Sequence, residues 1–170
     1  MIIRRERPAD RETVRAVLVT AFETPMQADL VDRLRASAEW LPELALVACD
    51  GDQVIATVMC SRAHLDPVGT PVLSFGPIAV HPEHQGGKTT VPLMHAMIAA
   101  AEARGEAAIL LFGDVDFYPH FGFEPAGKYA ITPLAGGPHR GESDEFLVRT
   151  LAAYEPSMTG SFRYSPAFSQ

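Results

Sequence analysis

Cysteine, positive charge and long apolar runs are all scarce in this sequence, and each scarcity removes a class of protein. Two cysteines in 170 residues, Cys49 and Cys60, cannot build a disulfide framework. They lie in neighbouring apolar runs around Asp50-Gly51-Asp52. If that is a two-residue hairpin turn, Cys49 sits at the turn and Cys60 far up the other strand, so the two do not face each other. Both read as reduced core residues of a cytoplasmic protein. Lys and Arg together number 14 against 21 Asp and Glu, a formal charge of -7. The basic footprint that neutralises phosphates is missing, so nucleic acid is not an expected partner. Apolar stretches are broken by Pro, Lys or acidic residues well before the ~20 residues of a membrane span, and no apolar region follows Met1-Ile2-Ile3-Arg4-Arg5. Neither a membrane segment nor a secretory leader is expected.

What the sequence has is 47% apolar and 21% charged residues, the composition of one packed domain over residues 1–170. A short strand at Ile2-Ile3-Arg4 precedes a helix over residues 8–22, with Val14, Val17, Leu18, Ala21 and Phe22 on one face. Thr24-Pro25-Met26-Gln27 reads as a second helix start, with Thr24 as cap, Pro25 at the first helical position and Gln27 closing a capping box. Residues 44–49 and 54–61 form a hairpin by composition, and residues 72–80 a further strand. A Gly-containing loop then leads into a helix with Val91, Met94, Ile98 and Ala101 on one face, closed by Gly105. Residues 107–112 are an almost unbroken apolar run, as expected of a strand covered on both faces. Residues 117–121 read as a helical turn, Phe123 starts another strand, residues 126–144 read as an exposed loop, and residues 146–151 are the last clear strand, in a C-terminal α/β extension. The layout is mixed α/β with one βαβ unit.

The strongest local signal is Ile78-Ala79-Val80 followed by His81-Pro82-Glu83-His84-Gln85-Gly86-Gly87-Lys88-Thr89-Thr90 and a helix. Such a loop turns backbone N–H groups and the positive end of the helix dipole toward an anion, and a diphosphate is the usual occupant. An ordinary strand-to-helix turn that uses Gly for its bends fits the same residues. Gly87-Lys88-Thr89 is also compared with a P-loop, with Gly113-Asp114 as its acidic strand end. That motif needs a Gly at position 82, which is Pro82, so the spacing argues against an NTPase.

Several linked stretches carry a resemblance to a known family. Phe75-Gly76-Pro77-Ile78-Ala79-Val80-His81-Pro82-Glu83-His84-Gln85-Gly86, the helix end Ala103-Arg104-Gly105, Gly113-Asp114, and Tyr118-Pro119-His120-Phe121-Gly122-Phe123-Glu124-Pro125-Ala126 occur in order. Together they resemble the GCN5-related N-acetyltransferase (GNAT) superfamily, in its bacterial N-acetyltransferase branch, over nearly the whole chain. The resemblance implies a splayed, mostly antiparallel mixed sheet flanked by helices, with acetyl-CoA as co-substrate between the strand ending at Val80 and the strand ending at Phe112. It implies that Ile78, Ala79 and Val80 meet the pantetheine arm through backbone groups, and that the pyrophosphate rests on the amides of Gln85, Gly86, Gly87, Lys88, Thr89 and Thr90. The sequence departs from the family pattern at Lys88 and Thr90, where small residues are usual. A side chain there could block close approach of the backbone; Lys88 could instead supply a charge, and Thr89 or Thr90 a hydroxyl. The altered loop keeps open a non-catalytic member that binds an acyl-CoA as a sensor.

Tyr118 stands four residues before Gly122-Phe123, the place of the family's general acid, which would protonate the departing CoA sulfur. On residues alone, a packing Tyr beside Phe117, Phe121 and Phe123 is the favoured reading, and the resemblance is what turns it toward the acid role. Glu23, Asp29, Asp66, His81 and Glu83 are candidates for the base, and none is singled out. A backbone N–H near Ile78 or Ala79 would stabilise the oxyanion. His81 and His84 lie in a Pro-containing loop with no third ligand at a typical spacing, so no metal is expected. The expected function is acetyl transfer to a primary amine of a small molecule or peptide by direct attack. The acceptor pocket is expected between residues 22–30 and residues 132–143. A homodimer is left open.

Overall fold

The Asp50-Gly51-Asp52 turn, with Gly51 at φ +58°, joins two strands longer than their apolar cores suggest: β2 (Trp40–Asp50) and β3 (Gln53–Asp66). The computed structural model describes residues 1–133 and 143–169. The chain packs as two compact units, Met1–Cys60 with Gly76–Ala100, and Ser61–Phe75 with Ala101–Gln170. Strands β3 and β4 (Thr70–Val80) run through both.

In the first unit β1 (Ile2–Arg5) pairs antiparallel with β2, Ile2 opposite Cys49 and Arg5 opposite Leu46. Helix α1 (Arg11–Phe22) follows a 3-10 turn at Pro8–Asp10 and buries Val14, Val17 and Leu18, the i, i+3, i+4 stripe its periodicity predicts. Phe22 leaves that stripe: the helix ends on it, Glu23 takes φ +55°, and the ring is exposed. Helix α2 (Met26–Arg35) buries Ala28, Val31 and Leu34. Its start differs from the expected capping box. Pro25 takes the cap position, Thr24 Oγ1 accepts from the Met26 amide at 3.4 Å, and Gln27 Oε1 is buried without a partner. Burial, rather than a cap, fixes this end. Val17, Leu18 and Val31 pack in one cluster with Val47, Met59 and Ala79, covering these strands with helices. Helix α3 (Gly87–Ala103) buries Leu93, Met94, Met97 and Ile98, whereas Val91, placed on the core face by spacing, is exposed in the first turns.

In the second unit β4 runs parallel to β5 (Ala108–Phe112), Leu73 opposite Ile109 and Ser74 opposite Leu110. This completes the predicted βαβ crossover. Three further strands follow: β6 (Glu124–Pro125), β7 (Ile131–Pro133) and β8 (Phe146–Thr150). Strand β8 pairs antiparallel with β5 and also with β6. A ninth strand, β9 (Gly160–Arg163), pairs antiparallel with β3 and parallel with β7. The result is a mixed α/β sheet of mostly antiparallel strands, the class the sequence implied.

Three expectations change. Residues 126–144 are not simply an exposed loop: a 3-10 turn at Ala126–Tyr129 and strand β7 bury Ala126 and Ile131 against Phe146 and Phe162. The strand starting at Phe123 shrinks to two residues. Strand β8 is followed by β9 and a 3-10 turn at Pro166–Ser169, and among the described residues no α-helix follows α3. Cys49 and Cys60 are both buried and in no disulfide. No described helix is long and apolar enough to cross a membrane.

Candidate functional site

Two groups of residues carry the candidate chemistry, one in each unit. In the first, Gly76 at φ +114° and Pro77, which has no N–H, interrupt the regular course of β4 ahead of Ile78-Ala79-Val80. Ala79 and Val80 are buried and Ile78 is half-buried, so Ala79 and Val80 have little to offer a ligand beyond backbone groups. The His81 amide donates to Ile55 O at 2.8 Å, and a 3-10 turn at Pro82–His84 follows.

Most of the loop's amides answer one another. Gln85 N donates to Pro82 O at 3.4 Å, and Thr89 N and Thr90 N both donate to Gly86 O, at 3.2 and 3.4 Å. Among the described residues, the amides of Gly86, Gly87 and Lys88 are left as the loop's donors, at the end of α3 where the dipole is positive. All three residues are exposed, and no atom outside the chain neighbours would touch a Cβ placed on Gly86. These features fit a diphosphate. Among the side chains, Lys88 is exposed, Thr90 is half-buried and Thr89 is only 5% exposed, so Thr89 is not a hydroxyl presented at the surface.

In the second unit, β5 ends at Phe112 and the chain turns through Gly113-Asp114. The Gly113 amide donates to Glu145 O at 3.0 Å. Asp114 Oδ1 accepts from Asp116 N at 2.7 Å, while Asp114 O accepts from Phe117 N and Tyr118 N at 3.2 and 3.1 Å. This is an Asx-type turn that delivers the 3-10 helix Tyr118–Phe121, and Gly122 at φ +80° closes it. The Tyr118 ring meets Phe75, Phe117 and Phe123 edge to face, with centroids 6.0, 5.1 and 5.7 Å away. Burial first, and the Asp114 carboxylate second, push the Tyr118 phenol above its ordinary value. The aromatic cluster holds the ring, as the packing reading expects.

The base candidates remain dispersed. Asp29 is paired with Arg15 at 2.6 Å and Asp66 with Arg163 at 2.9 Å. His81 Nδ1 accepts from the Glu83 amide at 3.4 Å, Glu83 itself is 82% exposed, and Glu23 ends α1. Among the described residues no three His, Cys, Asp or Glu side chains converge as metal ligands. Of the expected acceptor walls, the turn after α1 presents exposed Phe22 and Met26. Most of the other wall, residues 134–142, lies outside the described residues. Sequence reading missed the parts played by Phe75 and Asp114. The Asp-x-Asp spacing before an aromatic run was the available signal for the turn.

A family model described as an acetyltransferase (GNAT) domain matches residues 2–126. The chain is 32% identical over 132 residues to the uncharacterized N-acetyltransferase YhbS of Escherichia coli, covering 77% of this chain and 78% of that protein. The crystal structure of that N-acetyltransferase in complex with CoA superposes with a TM-score of 0.88 at 29% identity, covering 99% of this chain and 92% of the other. A GNAT family acetyltransferase from Brucella melitensis in complex with acetyl-CoA gives a TM-score of 0.79 at 26% identity, covering 98% and 97%.

Proposed function

The chain belongs to the GNAT acetyltransferase family, and from that premise we propose that it moves acetyl from acetyl-CoA to a primary amine of a small molecule or peptide, by direct attack. The reading takes residues 1–170 as one catalytic domain working in the cytoplasm. The observation that carries it is the placement of Tyr118, held by Phe75, Phe117 and Phe123 at the end of the Asp114 turn, four residues before Gly122-Phe123.

Acetyl-CoA supplies an activated thioester carbonyl. The amides of Gly86, Gly87 and Lys88 and the Lys88 ammonium take the diphosphate, and backbone groups of Ile78, Ala79 and Val80 align the pantetheine arm. The acceptor nitrogen forms the new bond to the carbonyl carbon while a backbone N–H near Ile78 or Ala79 stabilises the oxygen. As the carbon–sulfur bond breaks, the Tyr118 hydroxyl gives its proton to the sulfur, and CoA leaves as the thiol. The acceptor's own proton passes to water, which then reprotonates the phenolate. Nothing favours the non-catalytic acyl-CoA-binding alternative: the relatives that cover the chain are named N-acetyltransferases or acetyltransferases.

The test is calorimetric titration with acetyl-CoA, with ATP and magnesium as control, followed by thiol release across a panel of primary amines. Micromolar acetyl-CoA affinity and a Tyr118→Phe rate lower by about a hundredfold at unchanged affinity are expected. An unaltered rate removes Tyr118 from the mechanism.

A further inference from the structure

Gly113 is a glycine whose backbone conformation does not call for one. Its φ lies outside the left-handed region, unlike Gly86, Gly105 or Gly122. What excludes a side chain is the Tyr118 ring. A Cβ on Gly113 would lie 2.7 Å from Tyr118 Cδ2, closer still to Cε2, and 3.0 Å from Leu111 Cδ1. The two ring contacts are shorter than real carbons show, and the one to Leu111 is merely tight, so the ring or the strand end would have to move. The ring has little room to do so. Phe75, Phe117 and Phe123 hold its edges, and the Asp114 carbonyl holds its backbone amide.

We propose that Gly113 is a positioning residue for the reaction: the bare backbone at the end of β5 is the floor on which the Tyr118 ring lies, and it sets where the phenol oxygen stands. The proposal rests on the acid role of Tyr118, and its chemistry follows from that role. Proton transfer to a leaving sulfur needs the donor within hydrogen-bond reach, and a displacement of about 1 Å can cost on the order of a hundredfold in rate. A methyl group at position 113 would impose a displacement of that size without altering a single polar group.

The experiment uses the full chain labelled at tyrosine Cζ, with the Tyr118 signal assigned by Tyr118→Phe. Gly113→Ala is expected to move the Tyr118 signal while those of Tyr129, Tyr154 and Tyr164 stay in place. With the fastest acceptor of the primary-amine panel, kcat for thiol release should fall at least tenfold while acetyl-CoA affinity stays within twofold. In the Tyr118→Phe background, the same Gly113→Ala change should alter kcat by less than twofold, because the proton it misplaces is already gone. An unmoved Tyr118 signal, or an equal loss of rate in both backgrounds, overturns the proposal. A silent Tyr118→Phe overturns the acid role itself, whereas an active Tyr118→Phe effect with a silent Gly113→Ala overturns only the part given to Gly113. If Gly113→Ala alone does not fold, it is combined with Tyr118→Ala. Melting like Tyr118→Ala alone identifies the ring as the obstacle, and equal failure of the pair overturns the proposal.

Discussion

Arg62 lays its two terminal nitrogens on the two carboxylate oxygens of Glu106, at 2.6 and 2.7 Å, and Arg104 Nε reaches the same carboxylate at 3.3 Å. Glu106 is only 7% exposed, and the fork ties β3 to the start of β5. Burial alone would raise the Glu106 carboxyl, but Arg62 and then Arg104 outweigh it and hold the group below the usual carboxylate range. Removing Arg62 leaves Glu106 with Arg104 as its one remaining cation among these three. Arg62→Met should therefore cost about 2 kcal/mol, below the figure for a fully stranded buried charge, and lower Tm by roughly 4–8 °C for a chain of this size.

The same pair predicts an acid dependence. A carboxyl with a lowered folded pKa adds stability that is present above its unfolded value and is lost as pH falls through the folded one. Melts of the native chain and of Glu106→Gln should differ most at neutral pH and converge below the usual glutamate range. A difference that stays constant to pH 3 would remove the fork from the stability of the second unit.

The raised pKa of Tyr118 sets the sign of a second pH effect. A general acid works while protonated, so kcat should stay level through neutral pH and fall only as pH rises through the raised value. Asp114→Asn removes the negative charge that contributes to the rise but keeps an Oδ1 for the Asp116 amide. The alkaline limb of kcat should then move to lower pH, with the turn intact. A limb that stays put in Asp114→Asn means that burial alone sets the phenol.

How much of this was legible depended on whether one element or several had to be read together. The stripe Val14, Val17, Leu18 repeats within one helix, and periodicity finds it; Phe22 continues the stripe numerically, but the helix stops there and the rule loses its meaning. Strand β9 has a single large apolar residue, Phe162, and exists because β3 and β7 flank it, which no local pattern records. Tyr118 was singled out through the family resemblance, by its place four residues before Gly122-Phe123. Its wall at Phe75 comes from another strand, and the need for Gly113 comes from a ring five positions later in a turn. Contacts made by turns have no period, so candidate residues could be named before the neighbours that hold them could.

Gly86 supplies a contrast with Gly113. A Cβ at Gly86 would meet nothing within 4 Å, but the residue stands at φ +118°, where L residues are strained. Gly86→Ala should cost about 1–3 kcal/mol in the loop's present conformation. Since that loop presents the amides of Gly86, Gly87 and Lys88, acetyl-CoA affinity should weaken roughly tenfold, and Tm should fall by roughly 2–10 °C. Equal affinity for both proteins in calorimetry would mean that the loop's conformation does not matter to binding.

Lys88 is one of two lysines in the sequence, the other being Lys128, and it stands in the first turn of α3, at a position where the family resemblance implies a small residue. Its side chain is exposed, and the backbone there is already helical, so the ammonium does not have to be cleared for the helix amides to reach an anion. The geometry favours gain over obstruction. A charge-assisted contact to phosphate contributes about 1.5–3 kcal/mol. Lys88→Gln should therefore weaken acetyl-CoA binding roughly tenfold. It should also flatten the dependence of affinity on salt, because one screened charge pair is lost. Lys88→Gly separates the two possibilities that the altered motif raises. If the ammonium holds phosphate, the glycine variant binds as weakly as the glutamine variant. If the side chain obstructs, the glycine variant binds more tightly than the native chain, and the family's usual glycine would be the better residue for this loop.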